Sequence, residues 1–170
     1  MWNESFFSAP QLKRIPLGLT ELSFHVKAAI EEKLGVLVDL PLWAVGRAGT
    51  VSWFQFGAHH AVPARKIEIK DVGDYALHTE CEWTLASSTY GDVIATSESS
   101  RDELASLGSL GLVCQEVTAD DRGGFVLQFA SGHCLKVEPE DEEAEEFWRL
   151  LEPHRKTPHF VVGAGGHRTA

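Results

Sequence analysis

From Tyr75 to Leu85 the side chains alternate residue by residue. Tyr75, Leu77, Thr79, Cys81, Trp83 and Leu85 fall on one side; Ala76, His78, Glu80, Glu82 and Thr84 fall on the other. Period two places successive Cβ atoms on opposite faces of a pleated strand, so the stretch predicts a long strand with one core face and one wet face. A strand cannot satisfy its own backbone, so the rest of the chain must supply neighbours. Val93 to Thr96 reads as its hairpin partner across Ser87 to Asp92. Leu112 to Thr118, Phe125 to Phe129 and Cys134 to Val137 read as a three-strand meander, with turns at Asp120–Gly124 and Ala130–His133 rich in residues that tolerate positive φ.

Helical spacing is the exception. Leu22, Val26, Ile30 and Leu34 recur every fourth residue, with Thr20 as a cap and Gly35 as a terminator. After it come short apolar runs, Val36–Leu40 and Leu42–Gly46, then a turn and a strand from Val51 to Phe56. Lys66 to Lys70 alternates briefly as K-I-E-I-K. Ser99 or Ser100 caps a short middle helix ending near Leu107. Pro139 opens a last, acidic helix to about Leu151 with Ala144, Phe147, Trp148 and Leu151 as its apolar stripe. Phe160 to Val162 adds an edge strand, and the tail 163–170 is expected to be loose. The expected fold is α+β: antiparallel β-meanders with an N-terminal helix, a short middle helix and an acidic C-terminal helix.

The two halves share an order of features. Leu34-Gly35 and Leu110-Gly111 open a strand run, Gln55-Phe56 and Gln128-Phe129 end an aromatic strand, and histidine loops follow (His59 and His60; His133). Leu77 to Glu80 and Leu135 to Glu138 come next, then Trp83 and Trp148. Either the chain is a duplication, with similar halves over 20–97 and 100–162, or β-meanders are reusing the same residue types. The whole chain, 1–170, is of single-domain size.

A net charge of −10 repels phosphate backbones and anionic lipid surfaces, so neither a nucleic-acid nor a membrane partner is expected. A basic protein is the partner such a surface attracts. Cys81, Cys114 and Cys134 are odd in number and lack a C-x-x-C pair, which suits free thiols in a reducing cytoplasm rather than disulfides or a zinc knuckle.

Candidate sites are few. His59 and His60 lie in a loop bounded by Gly57 and Pro63, while His78, Glu80 and Glu82 share one strand face. Histidine nitrogens and carboxylates suit a divalent metal, which makes His59, His60, His78 and Glu80 a candidate ligand set. Three in-line strand residues span about 13 Å, so that set needs the loop to complete it, and a solvated face explains the same residues. Glu140, Asp141, Glu142, Glu143, Glu145 and Glu146 form an acidic run without the order of a calcium loop. Their mutual repulsion favours a basic partner there, against the plainer reading of a solvated face. No nucleophile elbow, P-loop or dinucleotide motif is present, and no catalytic residue or cofactor other than a metal is expected.

Four segments together carry a resemblance: G-R-A-G-T-V-S-W-F-Q-F-G (Gly46 to Gly57), A-L-H-T-E-C-E-W (Ala76 to Trp83), L-x-F-x-S-G-x-x-L-x-V-x-P (Leu127 to Pro139) and F-W-R-L-L-E-P (Phe147 to Pro153). With these the chain resembles a family of uncharacterised bacterial proteins frequent in actinobacteria, over about Leu34 to Val162. That family's pattern often has a proline before the tryptophan of the A-L-H segment and an arginine after it, where this chain has Glu82 and Thr84 beside Trp83, so no role of that arginine carries over. The L-x-F-x-S-G hairpin also resembles small β modules of bacterial toxin-immunity proteins. A non-enzymatic interaction module, immunity-like or regulatory, is therefore the leading expectation. A small metal-dependent or ligand-binding enzyme and a homo-oligomeric module, for instance a homodimer, stand beside it.

Overall fold

The computed structural model describes residues 17–64, 68–87 and 91–170 and, within the first helix, side chains from His25 onward. Trp2, Lys66 and Ile67 lie outside the described residues. The chain runs α1 (Leu17–Leu34), β1 (Pro41–Ala48), β2 (Val51–Phe56), β3 (His60–Pro63), β4 (Ile69–Val72), β5 (Tyr75–Thr79), β6 (Glu82–Ser87) and β7 (Val93–Thr96). It continues through α2 (Arg101–Ser106), β8 (Leu112–Ala119), β9 (Phe125–Phe129), β10 (His133–Glu138), β11 (Trp148–Leu151), β12 (Phe160–Gly163) and β13 (Gly166–Thr169). The fold is mostly antiparallel β with two helices, within the expected α+β class.

The helices follow their sequence signals in part: α1 begins at Leu17, before the expected cap Thr20, and Gly35 enters a 3-10 turn instead of a left-handed stop. The Ile30 and Leu34 stripe of α1 is fully buried. Ser100 and Glu103 form a reciprocal capping box on α2, and Leu104 faces the core. The run expected as a strand after α1 is instead a 3-10 turn over Gly35–Leu37, and β1 starts at Pro41, a strand position that needs no donor.

The longest alternating run breaks. Between Thr79 and Glu82 the chain passes from one wing of the large sheet to the other, and Glu80 N–H donates to Phe147 O (2.8 Å). Alternation survives the break: Leu77, Thr79, Trp83 and Leu85 are all buried. The order of the large sheet is β13-β12-β11-β5-β2-β1-β8-β9-β10-β6-β7, with β3-β4 a separate hairpin. Its two wings meet at a short β1–β8 ladder, Pro41↔Val113 and Leu42↔Leu112.

Read outward from that join, the wings repeat. β5 follows β2 and β1 on one side, β10 follows β9 and β8 on the other, and each wing is then extended by a strand from the other half of the chain. Leu77 faces Phe54 and Leu150, and Leu135 faces Leu127 and Leu85. Trp148 faces Thr79 where Trp83 faces Val137. Irregularities fall alike too, after Leu42↔Phe56 and after Cys114↔Phe129. The two tryptophans close the core between the wings, Trp83 edge-on to Phe54 (5.0 Å) and Trp148 edge-on to Phe125 (4.9 Å).

The C-terminal third corrects three expectations. Residues 139–147 form turns, not a helix, and Trp148–Leu151 is a strand. Like charges at i,i+4 oppose the helix, and the backbone has better partners: Ala164 N–H donates to Ala144 O (3.0 Å), Arg168 Nη1 to Glu145 O (2.9 Å) and Phe147 N–H to Val162 O (2.7 Å). Phe160–Gly163 is interior, between β11 and β13, rather than an edge. The tail expected to be loose supplies β13. No helix among the described residues is long and apolar enough to cross a membrane.

Candidate functional site

Two connections carry the chain from one wing to the other, β5 to β6 through Glu80 and Cys81, and β10 to β11 through residues 139–147. They lie side by side, joined by the Glu80–Phe147 hydrogen bond. Both are acidic. A cavity of about 350 Å3 between them is lined by Glu80, Glu82, Glu140, Asp141, Glu146 and Phe147 among others. It shares Glu140 and Asp141 with a cavity of about 500 Å3 that adds Glu138, Glu142 and Arg122. On its other side it shares Glu80 and Glu82 with a cavity of about 400 Å3 that adds Glu98 and Arg47. The three form one furrow in which eight carboxylates face two arginines.

Two of those carboxylates are engaged structurally. Glu146 grips Arg149 through two hydrogen bonds (2.5 and 2.6 Å), and Glu138 pairs with Lys136 (2.5 Å). Glu80, Glu82, Glu98, Glu140, Asp141 and Glu142 are exposed and form no ion pair among the described residues. Of the acidic run singled out in the sequence, Glu140, Asp141, Glu142 and Glu146 line the furrow, whereas Glu143 and Glu145 are exposed and do not. Sequence reasoning missed Glu80, Glu82 and Glu98 as neighbours of that run.

The four candidate metal ligands are not brought together. His60, at the start of β3, meets Asp74 (Nε2–Oδ1, 2.8 Å) and stacks on His154 (centroids 3.9 Å, planes 7° apart). One donor atom from each of His60, Asp74 and His154 lies within 4.8 Å of the others. His59 instead pairs with Asp71 (2.6 Å) and stacks on Trp43 (3.8 Å). His78 sits opposite Trp53 and Arg149 within the sheet. Burial first, then the cations Arg149 and Lys70, push its pKa down to about 4, so it is neutral at pH 7. Glu80 lies in the furrow.

Asp74 is held from several directions. Its Oδ2 accepts from Ala58 N–H (2.7 Å), and the Gln55 side chain holds Gly73 N–H (2.8 Å) in the buried link before it. Gly57, at φ 83°, bends the chain beside it, and a Cβ there would collide with the Asp74 carboxylate. Hydrogen bonding by His60, then by Ala58, keeps the Asp74 carboxyl below the ordinary carboxylate range.

Residues 64–169, more than half of the chain, match a family described as a family of unknown function, DUF6188. The chain belongs to that family. No curated protein and no solved structure matches it. Within the DUF6188 span fall every carboxylate of the furrow, Asp74 and His154; Arg47 and His60 precede it. The three cysteines also lie within the span. Burial raises the thiol of Cys81 to about 12 and that of Cys114 to about 11, leaving neither as a thiolate nucleophile.

Proposed function

We propose that this DUF6188 protein is a non-enzymatic interaction module, immunity-like or regulatory, that holds a basic segment of a partner in the acidic furrow between its crossing connections. The observation carrying the reading is convergence. Three segments, around Glu80, Glu98 and Glu140, bring six exposed carboxylates without ion pairs among the described residues onto one concave surface. A folded chain gains nothing from such repulsion, whereas a lysine- or arginine-rich partner is drawn to it and relieves it. Burial that keeps Cys81 and Cys114 protonated speaks against thiol catalysis.

The same reading takes the chain as an ancient duplication, with strand pairs exchanged between its halves. Matching registers, matching irregularities and matching tryptophan positions in the two wings support it. The furrow then marks where the exchanged connections cross. A cytoplasmic location, in keeping with free thiols, belongs to the same proposal.

The test is affinity capture from the native host with the unaltered chain and a Glu140→Gln, Asp141→Asn, Glu142→Gln variant, at low and high salt. A partner retained only by the unaltered chain, and released by salt, is the expected result. Equal capture by both proteins, or none at low salt, would overturn the reading. One further observation favours self-association instead: edge strand β7 exposes Val93 (61%) and Ile94 (38%), side chains that a second copy would cover. Light scattering separates a homodimer from a monomer.

A further inference from the structure

We propose that His60, Asp74 and His154 form a site for one divalent transition-metal ion, with Zn2+ the best match. The donor set is two imidazole nitrogens and one carboxylate oxygen, the combination that borderline-soft ions such as Zn2+ select over Mg2+ or Ca2+. Tetrahedral zinc with bonds of about 2.0–2.2 Å needs donors about 3.3 Å apart. The three atoms already lie within 4.8 Å, and the closest pair, His60 Nε2 and Asp74 Oδ1, is 2.8 Å apart.

Two independent features point to a ligand here rather than to a self-contained hydrogen-bonded cluster. His154 Nδ1 is shut off from solvent and has no hydrogen-bond partner, a cost of about 1–3 kcal/mol for a buried polar group. The surroundings are also built as supports for a ligating carboxylate. Ala58 N–H holds the second oxygen of Asp74, Gln55 fixes the preceding peptide, and Gly57 leaves room for the group. His60 and Asp74 are each about one-third exposed, so the ion can enter.

Binding replaces the proton shared by His60 and Asp74 with the ion, so both imidazoles must be neutral and the carboxylate ionised. Hydrogen bonds from His60 and Ala58 already favour the ionised form of the Asp74 carboxyl. Rings lying 7° apart point their in-plane lone pairs side by side, so ligation tilts one ring out of the stack. The ion would clasp the β3–β4 hairpin to the turn after β11.

The test uses the full chain, stripped with a chelator and titrated with Zn2+ while heat and melting temperature are followed. We expect one equivalent bound, and a rise of roughly 5–10 °C at a hundredfold excess over Kd. His154→Ala and Asp74→Asn should lose that rise while melting, metal-free, close to the unaltered chain. Should either variant fold poorly, histidine ring NMR of the unaltered chain decides. Zn2+ should shift His60 and His154 together and leave His78 in place. No stoichiometric uptake, uptake unchanged in both variants, or ring shifts at other histidines would each overturn the site.

Discussion

The two crossings between the wings do the same topological work by different means. β5 reaches β6 through Glu80 and Cys81 alone, while β10 reaches β11 through residues 139–147. Each delivers a tryptophan to the same position against the strand beside it, Trp83 opposite Val137 and Trp148 opposite Thr79. The short crossing shows that the pairing needs no long loop. The other is longer, crowded with acids and tied by its carbonyls to the β12–β13 hairpin. Its position against Glu80 and Glu82 makes the furrow.

The sharpest break of this comparison is at the tryptophans. Trp83→Ala and Trp148→Ala should each cost about 3–5 kcal/mol in urea unfolding, because both side chains are fully buried between the wings. Unequal losses differing by more than that range would mean that one wing depends on its exchanged strand and the other does not.

Acid should separate the crossings next. His78, opposite Arg149 on β11, has its pKa pushed down to about 4 by burial and by nearby Arg149, Lys70 and His159, with Glu146 opposing. The unfolded chain, titrating near 6.5, takes up the proton first. The contribution is therefore intact above pH 6.5 and is lost as pH falls toward 4, by about 3 kcal/mol at most. The matching place in the other wing is Lys136 opposite Thr84, with no histidine. Urea midpoints at pH 7 and pH 5 should converge on one another in His78→Gln, and an undiminished pH slope in that variant would contradict the assignment.

A smaller contrast lies in the indole N–H groups. Trp148 Nε1 donates to Gly123 O (2.7 Å), whereas Trp83 Nε1 is buried without a partner. Trp148→Phe should therefore lose about 1 kcal/mol more than Trp83→Phe in the same assay.

These contrasts also mark how far the sequence could be read. The alternation from Tyr75 to Leu85 and the Ser100 cap are local signals, and both appear in the structure, the strand with a break. Ala144, Phe147, Trp148 and Leu151 have helical spacing, but Trp148 and Leu150 also alternate as a strand does, and four residues cannot choose between the periods. The decision comes from Val162, Ala164 and Arg168, distant partners that no local pattern reveals. The candidate sites fail or succeed for the same reason. His60 is visible in its loop, yet Asp74 and His154 reach it only through the β3–β4 hairpin and the turn after β11. The acidic run is legible as composition; its facing acids Glu80, Glu82 and Glu98 are set beside it by distant strand pairing.

The smallest stability effect is expected where the functional effect is largest. Neutralising Glu140, Asp141 and Glu142 should change unfolding free energy by no more than about 0.5 kcal/mol, since exposed like charges hold nothing together. The most direct measurement joins this to binding: zero-length carboxylate-to-amine cross-linking of the protein to its captured partner, with the linked residues read by mass spectrometry. The account predicts links from partner lysines to Glu80, Glu82, Glu140, Asp141 and Glu142. Links concentrated outside the furrow, with the neutralised variant captured as well as the unaltered chain, would contradict it.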